Sequence, residues 1–157
     1  MRITLFLTFS LFVVSCFGQD TWTIEAKAID PKNYYGVTVG NGMIGLVSSP
    51  EPMKVQDVVL NGVYDYYQRG RVSNILKTFN HANMNLEVDG KRIGIKDITN
   101  YKQSLDMKKA ILVTTYDVGD KVSVKHSMMA LRHLPYTAMS MVEIRAKHNV
   151  RVTPMSV

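Results

Sequence analysis

Asn83-Met84-Asn85-Leu86-Glu87-Val88-Asp89-Gly90-Lys91-Arg92-Ile93 is a strand, a turn and the start of a second strand. Met84, Leu86 and Val88 alternate with Asn83, Asn85, Glu87 and Asp89, the period of two expected when one face of a strand is buried. Asp89-Gly90 suits a two-residue type I′ turn, whose central residues both need positive φ. Residues 91–95 then carry the chain back. The period recurs downstream, where Val122, Val124, His126 and Met128 alternate with Lys121, Ser123, Lys125 and Ser127.

Working outward, Trp22 and Ile24 open the domain as a first strand. Residues 35–39 and 43–48 read as neighbouring strands, ended by Pro50 and Pro52, which cannot donate to a sheet ladder. Residues 55–60 form another strand, Asn61-Gly62 a hairpin-type turn, and residues 63–67 the return. Residues 68–74 read as a loop, and residues 75–79 fit a short helix or a strand. Beyond the central hairpin, residues 98–107 are extended and residues 110–116 are rich in β-branched side chains. A turn at Val118-Gly119-Asp120 leads into residues 121–130, Leu134-Pro135 breaks the chain, and residues 136–146 form a last long strand. No helical period is sustained after the N-terminus. The pattern predicts an all-β fold, an antiparallel β-sandwich. Residues 149–157 still read as strand and turn without a closing element, so the sequence is expected to stop inside a larger domain.

The N-terminus is of a different kind. Arg2 is a positive n-region, residues 3–14 an apolar h-region too short to span a bilayer, and Ser15-Cys16-Phe17-Gly18 offers small residues for cleavage. Residues 1–18 therefore read as a signal peptide helix, and residues 19–157 as the β-sandwich domain. Val13-Val14-Ser15-Cys16 also fits a lipobox, in which Cys16 is acylated. Both routes stay open: a cut after Gly18, or a lipid anchor at Cys16. Either places the chain outside the cytoplasm, as a periplasmic, extracellular or outer-membrane lipoprotein. Membrane contact is expected only through Cys16. That residue is the only cysteine, so the rest of the chain has no thiol for a disulfide, metal or nucleophile.

The 157 residues suffice for one domain with a core. The net charge of +6 could suggest nucleic acid. However, Lys and Arg interleave with acids along the chain, so a solvated basic surface is expected and no nucleic-acid partner.

Gly40-Asn41-Gly42-Met43-Ile44-Gly45 fits the dinucleotide pattern G-x-G-x-x-G, but Pro50 and Pro52 leave no room for the helix that motif needs. A tight turn between strands is the expected use. Tyr64, Tyr66 and Tyr67 adjoin Arg69 and Arg71, which suits an amphipathic loop or a sugar platform. Tyr67, Arg69 and Arg71 are the candidate substrate contacts. Asp57, Asp65, Glu87, Asp106 and Asp117 are acids of the type a glycosidase pairs across a pocket, but spacing in sequence does not show that any two converge. His81, His126, His133 and His148 lack zinc spacing, and His126 falls on an apolar face as a core histidine would. No metal, cofactor or catalytic residue is expected in this chain.

Several of these segments, taken in order, resemble glycoside hydrolase family 65. Gly40 through Gly45 resembles its Asn-Gly-x-x-Gly element, and Asn61-Gly62-Val63-Tyr64-Asp65 the Gly-Val-Tyr/Phe element after it. Met84 through Gly90 is similar to the family's strand before an Asp-Gly turn, and Tyr101 through Met107 to its Tyr-x-x-x-Leu-Asp-Met/Leu segment. Val124 through Pro135, with Arg132 and His133, resembles the strand leading to the next turn. The family contains inverting α-glucoside phosphorylases and hydrolases. The resemblance implies the first domain of such an enzyme, part of a large super-sandwich that packs on a helical barrel and often helps dimerisation. The barrel supplies the glutamate acid and the groups for phosphate or water, so none of the catalytic residues maps onto this chain. Tyr101, Asp106 and the glycines correspond to fold markers.

The expectation is thus the N-terminal sandwich of a secreted inverting glycosidase for α-glucosides, inactive alone and able to form a homodimer. The alternatives are a stand-alone carbohydrate-binding or interaction module, and the N-terminal part of a disaccharide phosphorylase.

Overall fold

A computed structural model describes residues 22–65 and 74–156. The proposed signal peptide, Cys16, Tyr66, Tyr67, Arg69 and Arg71 lie outside the described residues. The elements are β1 (Thr23–Ala26), β2 (Thr38–Gly40), β3 (Ile44–Ser48), β4 (Val55–Asp65), β5 (Asn74–Thr78), β6 (Met84–Val88), β7 (Lys91–Arg92), β8 (Ile98–Asp106), β9 (Ile111–Val118), β10 (Val122–Ala130), β11 (Ala138–Ala146) and β12 (Val152–Ser156). Among the described residues the only helical turn is a 3₁₀ turn at Ile95–Asp97.

One layer is a five-stranded sheet in the order β1-β8-β9-β10-β11. Its inner face is covered in two halves by a four-stranded sheet, β2-β3-β4-β5, and a three-stranded sheet, β12-β6-β7. All pairs are antiparallel. The sandwich follows from alternation. Leu112, Thr114, Tyr116 and Val118 of β9 are buried, while the residues between them are only half-covered. Leu112 and Met128 pack with Val39, Ile44, Leu46 and Val58 of the four-stranded sheet. Tyr116, Val118, Val122 and Val124 pack with Met53, Leu86 and Val88. Each such aliphatic side chain contributes about 1.5–3 kcal/mol on burial.

A polar row separates these two apolar clusters. Gln103, Thr114 and His126 are cross-strand neighbours on β8, β9 and β10, and all three are buried. Gln103 Nε2 donates to Ser49 O and Thr114 Oγ1, both at 3.1 Å, and its Oε1 accepts from Tyr34 Oη at 2.5 Å. His126 Nε2 and Ser140 Oγ share a hydrogen bond of 2.7 Å. Burial pushes the His126 imidazole down to about 4. It is the hydrogen-bonded core histidine that its place on an apolar face suggests.

The Asp89-Gly90 turn forms as expected, with φ of 53° and 77° between paired Val88 and Lys91. Three expectations are corrected. Asn61-Gly62 is not a hairpin turn, because β4 runs through it and residues 63–65 continue the same strand. Asn61 N donates to Met43 O at 2.8 Å, so the chain stays against its neighbour and Gly62, at φ 88°, absorbs a register shift between Val59 and Tyr64. The return strand is instead β5, which makes residues 75–78 strand and leaves Phe79 outside it. Finally, the strand after Gly90 is only Lys91–Arg92. Asp97 accepts from Gly94 N at 3.0 Å and Lys91 Nζ at 2.5 Å, drawing the chain into the 3₁₀ turn.

Candidate functional site

Three turns distant in sequence meet at one pole of the sandwich, and two asparagines tie them together. Asn41 sits in the glycine-rich β2–β3 turn, where its Oδ1 accepts from Met43 N and Ile44 N, each at 3.0 Å. Its Nδ2 donates to Leu131 O at 2.7 Å and Leu134 O at 3.2 Å, across to the β10–β11 turn. The glycines thus serve a tight turn, as the prolines after them imply, and no helix follows to hold a pyrophosphate.

Asn61 performs the same office for the kink of β4. Its Oδ1 accepts from Tyr64 Oη at 3.0 Å, and its carbonyl accepts from Tyr136 Oη at 3.3 Å. Among the described residues Asn61 Nδ2 makes only a long contact of 3.7 Å with Met43 Sδ. Tyr64 and Tyr136 are left 50% and 51% exposed. Asn61 also lines a hollow of about 310 Å³ with Gly42, Met43, Leu60 and Ile75; it has no charged side chain, and neither tyrosine lines it. The sequence pointed to Tyr64 but not to Tyr136 or Asn41, whose partners lie 75 and 90 residues away.

Among the described candidate acids, Asp57, Asp106 and Asp117 each have a separate partner. Asp57 pairs with Lys77 at 2.8 Å. Asp106 accepts from Lys109 N at 3.0 Å and closes the β8–β9 turn. Asp117 accepts from Ser123 Oγ at 2.5 Å and Asn100 Nδ2 at 2.8 Å, bonds that hold its carboxyl below the usual range. It lines a hollow of about 370 Å³ with Glu143, whose carboxyl is lowered by Lys125 at 2.6 Å. A glycosidase proton donor needs a carboxyl pushed the other way. Both of these are arranged to stay ionised. Among the described residues no three His, Cys, Asp or Glu side chains are grouped to hold a metal.

Residues 36–157 match the model of the glycosyl hydrolase family 65 N-terminal domain. The chain belongs to that family. It is 50% identical over 151 residues to a kojibiose hydrolase from Mucilaginibacter mallensis, covering 96% of this chain and 22% of that protein. It is 44% identical over 136 residues to a kojibiose hydrolase from Flavobacterium johnsoniae, covering 87% of this chain and 20% of that protein. A solved chain from the human microbiome, provisionally assigned as a kojibiose phosphorylase, superposes with a TM-score of 0.62 at 14% identity. It covers 80% of this chain and 20% of its own length, and shares the fold. The chain therefore spans about a fifth of the length of the curated relatives it matches. Within the family, the glycine-rich turn, Asp106 and the Asp89-Gly90 hairpin have structural uses here.

Proposed function

We propose that this chain is the N-terminal sandwich portion of an exported inverting glycosidase acting on α-glucosides of the kojibiose type. The observation that carries the reading is 50% identity along nearly the whole chain to a kojibiose hydrolase of which it covers only 22%. Exposure within the sandwich supports it. Ile24 and Ile144 pair with buried Leu105 and Val124 and share their inner face, yet they are 53% and 39% exposed. They lie on the two edge strands of the large sheet, where further strands of a larger sandwich would cover them.

In this reading the chemistry is a single displacement: an acid protonates the glycosidic oxygen while water attacks the opposite face of the sugar. Both groups belong to parts of the protein beyond these residues, so the chain alone releases no glucose. Hydrolysis is preferred to phosphorolysis because the two high-identity relatives are hydrolases. An export signal in residues 1–18, with or without an anchor at Cys16, fits substrate breakdown outside the cytoplasm. Tyr67, Arg69 and Arg71 follow the pole in sequence and are proposed as loop contacts to the substrate. The test is glucose release from kojibiose, with and without phosphate, by this chain and by a longer product of the same gene. Phosphate-independent release by the longer product alone is expected. Release that requires phosphate would replace the hydrolase reading with a phosphorylase.

A further inference from the structure

We infer that the pole built on Asn41 and Asn61 is itself a binding site for a pyranose ring of an α-glucoside, with Tyr64 and Tyr136 as its contact surface. The assignment of ligand class rests on the α-glucoside reading above. The site rests on geometry.

Sugar rings present apolar C–H faces and a rim of hydroxyls. A surface that receives one needs flat aromatic area beside hydrogen-bonding groups that are held in place. Tyr64 and Tyr136 supply that area, half exposed and anchored by their hydroxyls to the same asparagine. Each hydroxyl proton is used on Asn61, so each phenolic oxygen keeps lone pairs to accept from a sugar O–H. Among the described residues Asn61 Nδ2 has only the 3.7 Å contact with the Met43 thioether, a weak bond that a sugar oxygen can replace.

The floor is also open. Gly42 and Gly62 both have φ of 88°, and nothing lies within 4 Å of where their Cβ atoms would be. A ligand can therefore approach the backbone at both kinks. Asn61 and Gly42 also line a hollow of about 310 Å³ to which neither tyrosine contributes, and its uncharged lining suits a neutral ligand better than a phosphate or nucleotide. The clasps from Asn41 to Leu131 O and Leu134 O fix the turn before Tyr136 to the turn that carries Met43, so the surface is preorganised.

The test is titration of the purified, ¹⁵N-labelled chain with kojibiose, followed by amide chemical shifts. Saturable shifts are expected at Met43, Asn61, Gly62 and Tyr136. Tyr64→Ala and Tyr136→Ala, both at half-exposed positions, are expected to keep a dispersed spectrum and weaken binding at least about fivefold. Tyr136→Phe keeps the ring and should lose less. Sorbitol, which has the hydroxyls but no ring, should give no saturable response. Absent shifts, shifts confined to other surfaces, or an equal response to sorbitol would each overturn the site. So would concentration-dependent shifts of the same amides without sugar, which would make the pole a self-association surface. None of these outcomes touches the glycosidase reading, because glucose release by a longer product of the gene tests that independently.

Discussion

Gln103 Nε2 donates at 3.1 Å to Thr114 Oγ1, its partner on the adjacent strand, in the plane that divides the two apolar halves of the core. The same side chain takes the Tyr34 proton and reaches Ser49 O, so one amide joins the large sheet to the β3–β4 connection. Cutting this tie removes the Gln103 bond from buried Thr114 and from half-buried Ser49 O, and leaves Tyr34 Oη with Ser48 Oγ. Gln103→Leu is expected to lower stability by about 1–3 kcal/mol, read as a lower urea midpoint. An unchanged midpoint would show that the row is not a structural tie.

His126 gives the sandwich a pH dependence. Burial lowers its folded value to about 4 from an ordinary 6.5, so the fold favours the neutral ring. The contribution is fully present above pH 6.5 and is lost as pH falls from 6.5 toward 4, because the unfolded chain binds the proton first. The loss is of order 3 kcal/mol at most. Denaturant unfolding at several pH values should show this slope, and His126→Gln should flatten it. A slope that survives the substitution would assign it to other groups.

Tyr101 carries a buried hydroxyl with no hydrogen-bond partner among the described residues. Burial also pushes its ionisation upward. Tyr101→Phe removes that uncompensated group and keeps the ring, so thermal stability should be unchanged or higher by about 1 kcal/mol. A clear loss of stability would mean the hydroxyl has a partner.

Gly62 tests the kink in β4. No atom crowds its Cβ position, so the whole cost of Gly62→Ala comes from the positive φ of 88°. That cost is about 1–2 kcal/mol, seen as a lower melting temperature. Gly45 is the contrasting case: there an added Cβ would meet Val59 Cγ2 at 2.9 Å, so steric crowding is what opposes a side chain.

These positions also show what the sequence could and could not disclose. The strands β6 and β10 were legible because alternation reports a half-buried strand without reference to any partner, and β9 because it is rich in β-branched side chains. The Asp89-Gly90 turn was legible because its geometry is local. Asn61-Gly62 uses the same turn residues, yet forms a kink, because a distant group, Met43 O, captures the Asn61 amide. Tyr136 meets Asn61 across 75 residues, and no local pattern announces such a contact. Spacing alone could not show whether any two of the acids converge. The structure shows that Asp57, Asp106 and Asp117 are each engaged by their own cations or amides.

In the proposed function this sandwich supports and contacts the sugar while bond cleavage occurs elsewhere. Glucose release from kojibiose by the purified, folded chain tests that most directly. No glucose above the uncatalysed background is predicted, at any pH and with or without phosphate. Steady, enzyme-proportional release of glucose by these 157 residues alone would contradict it.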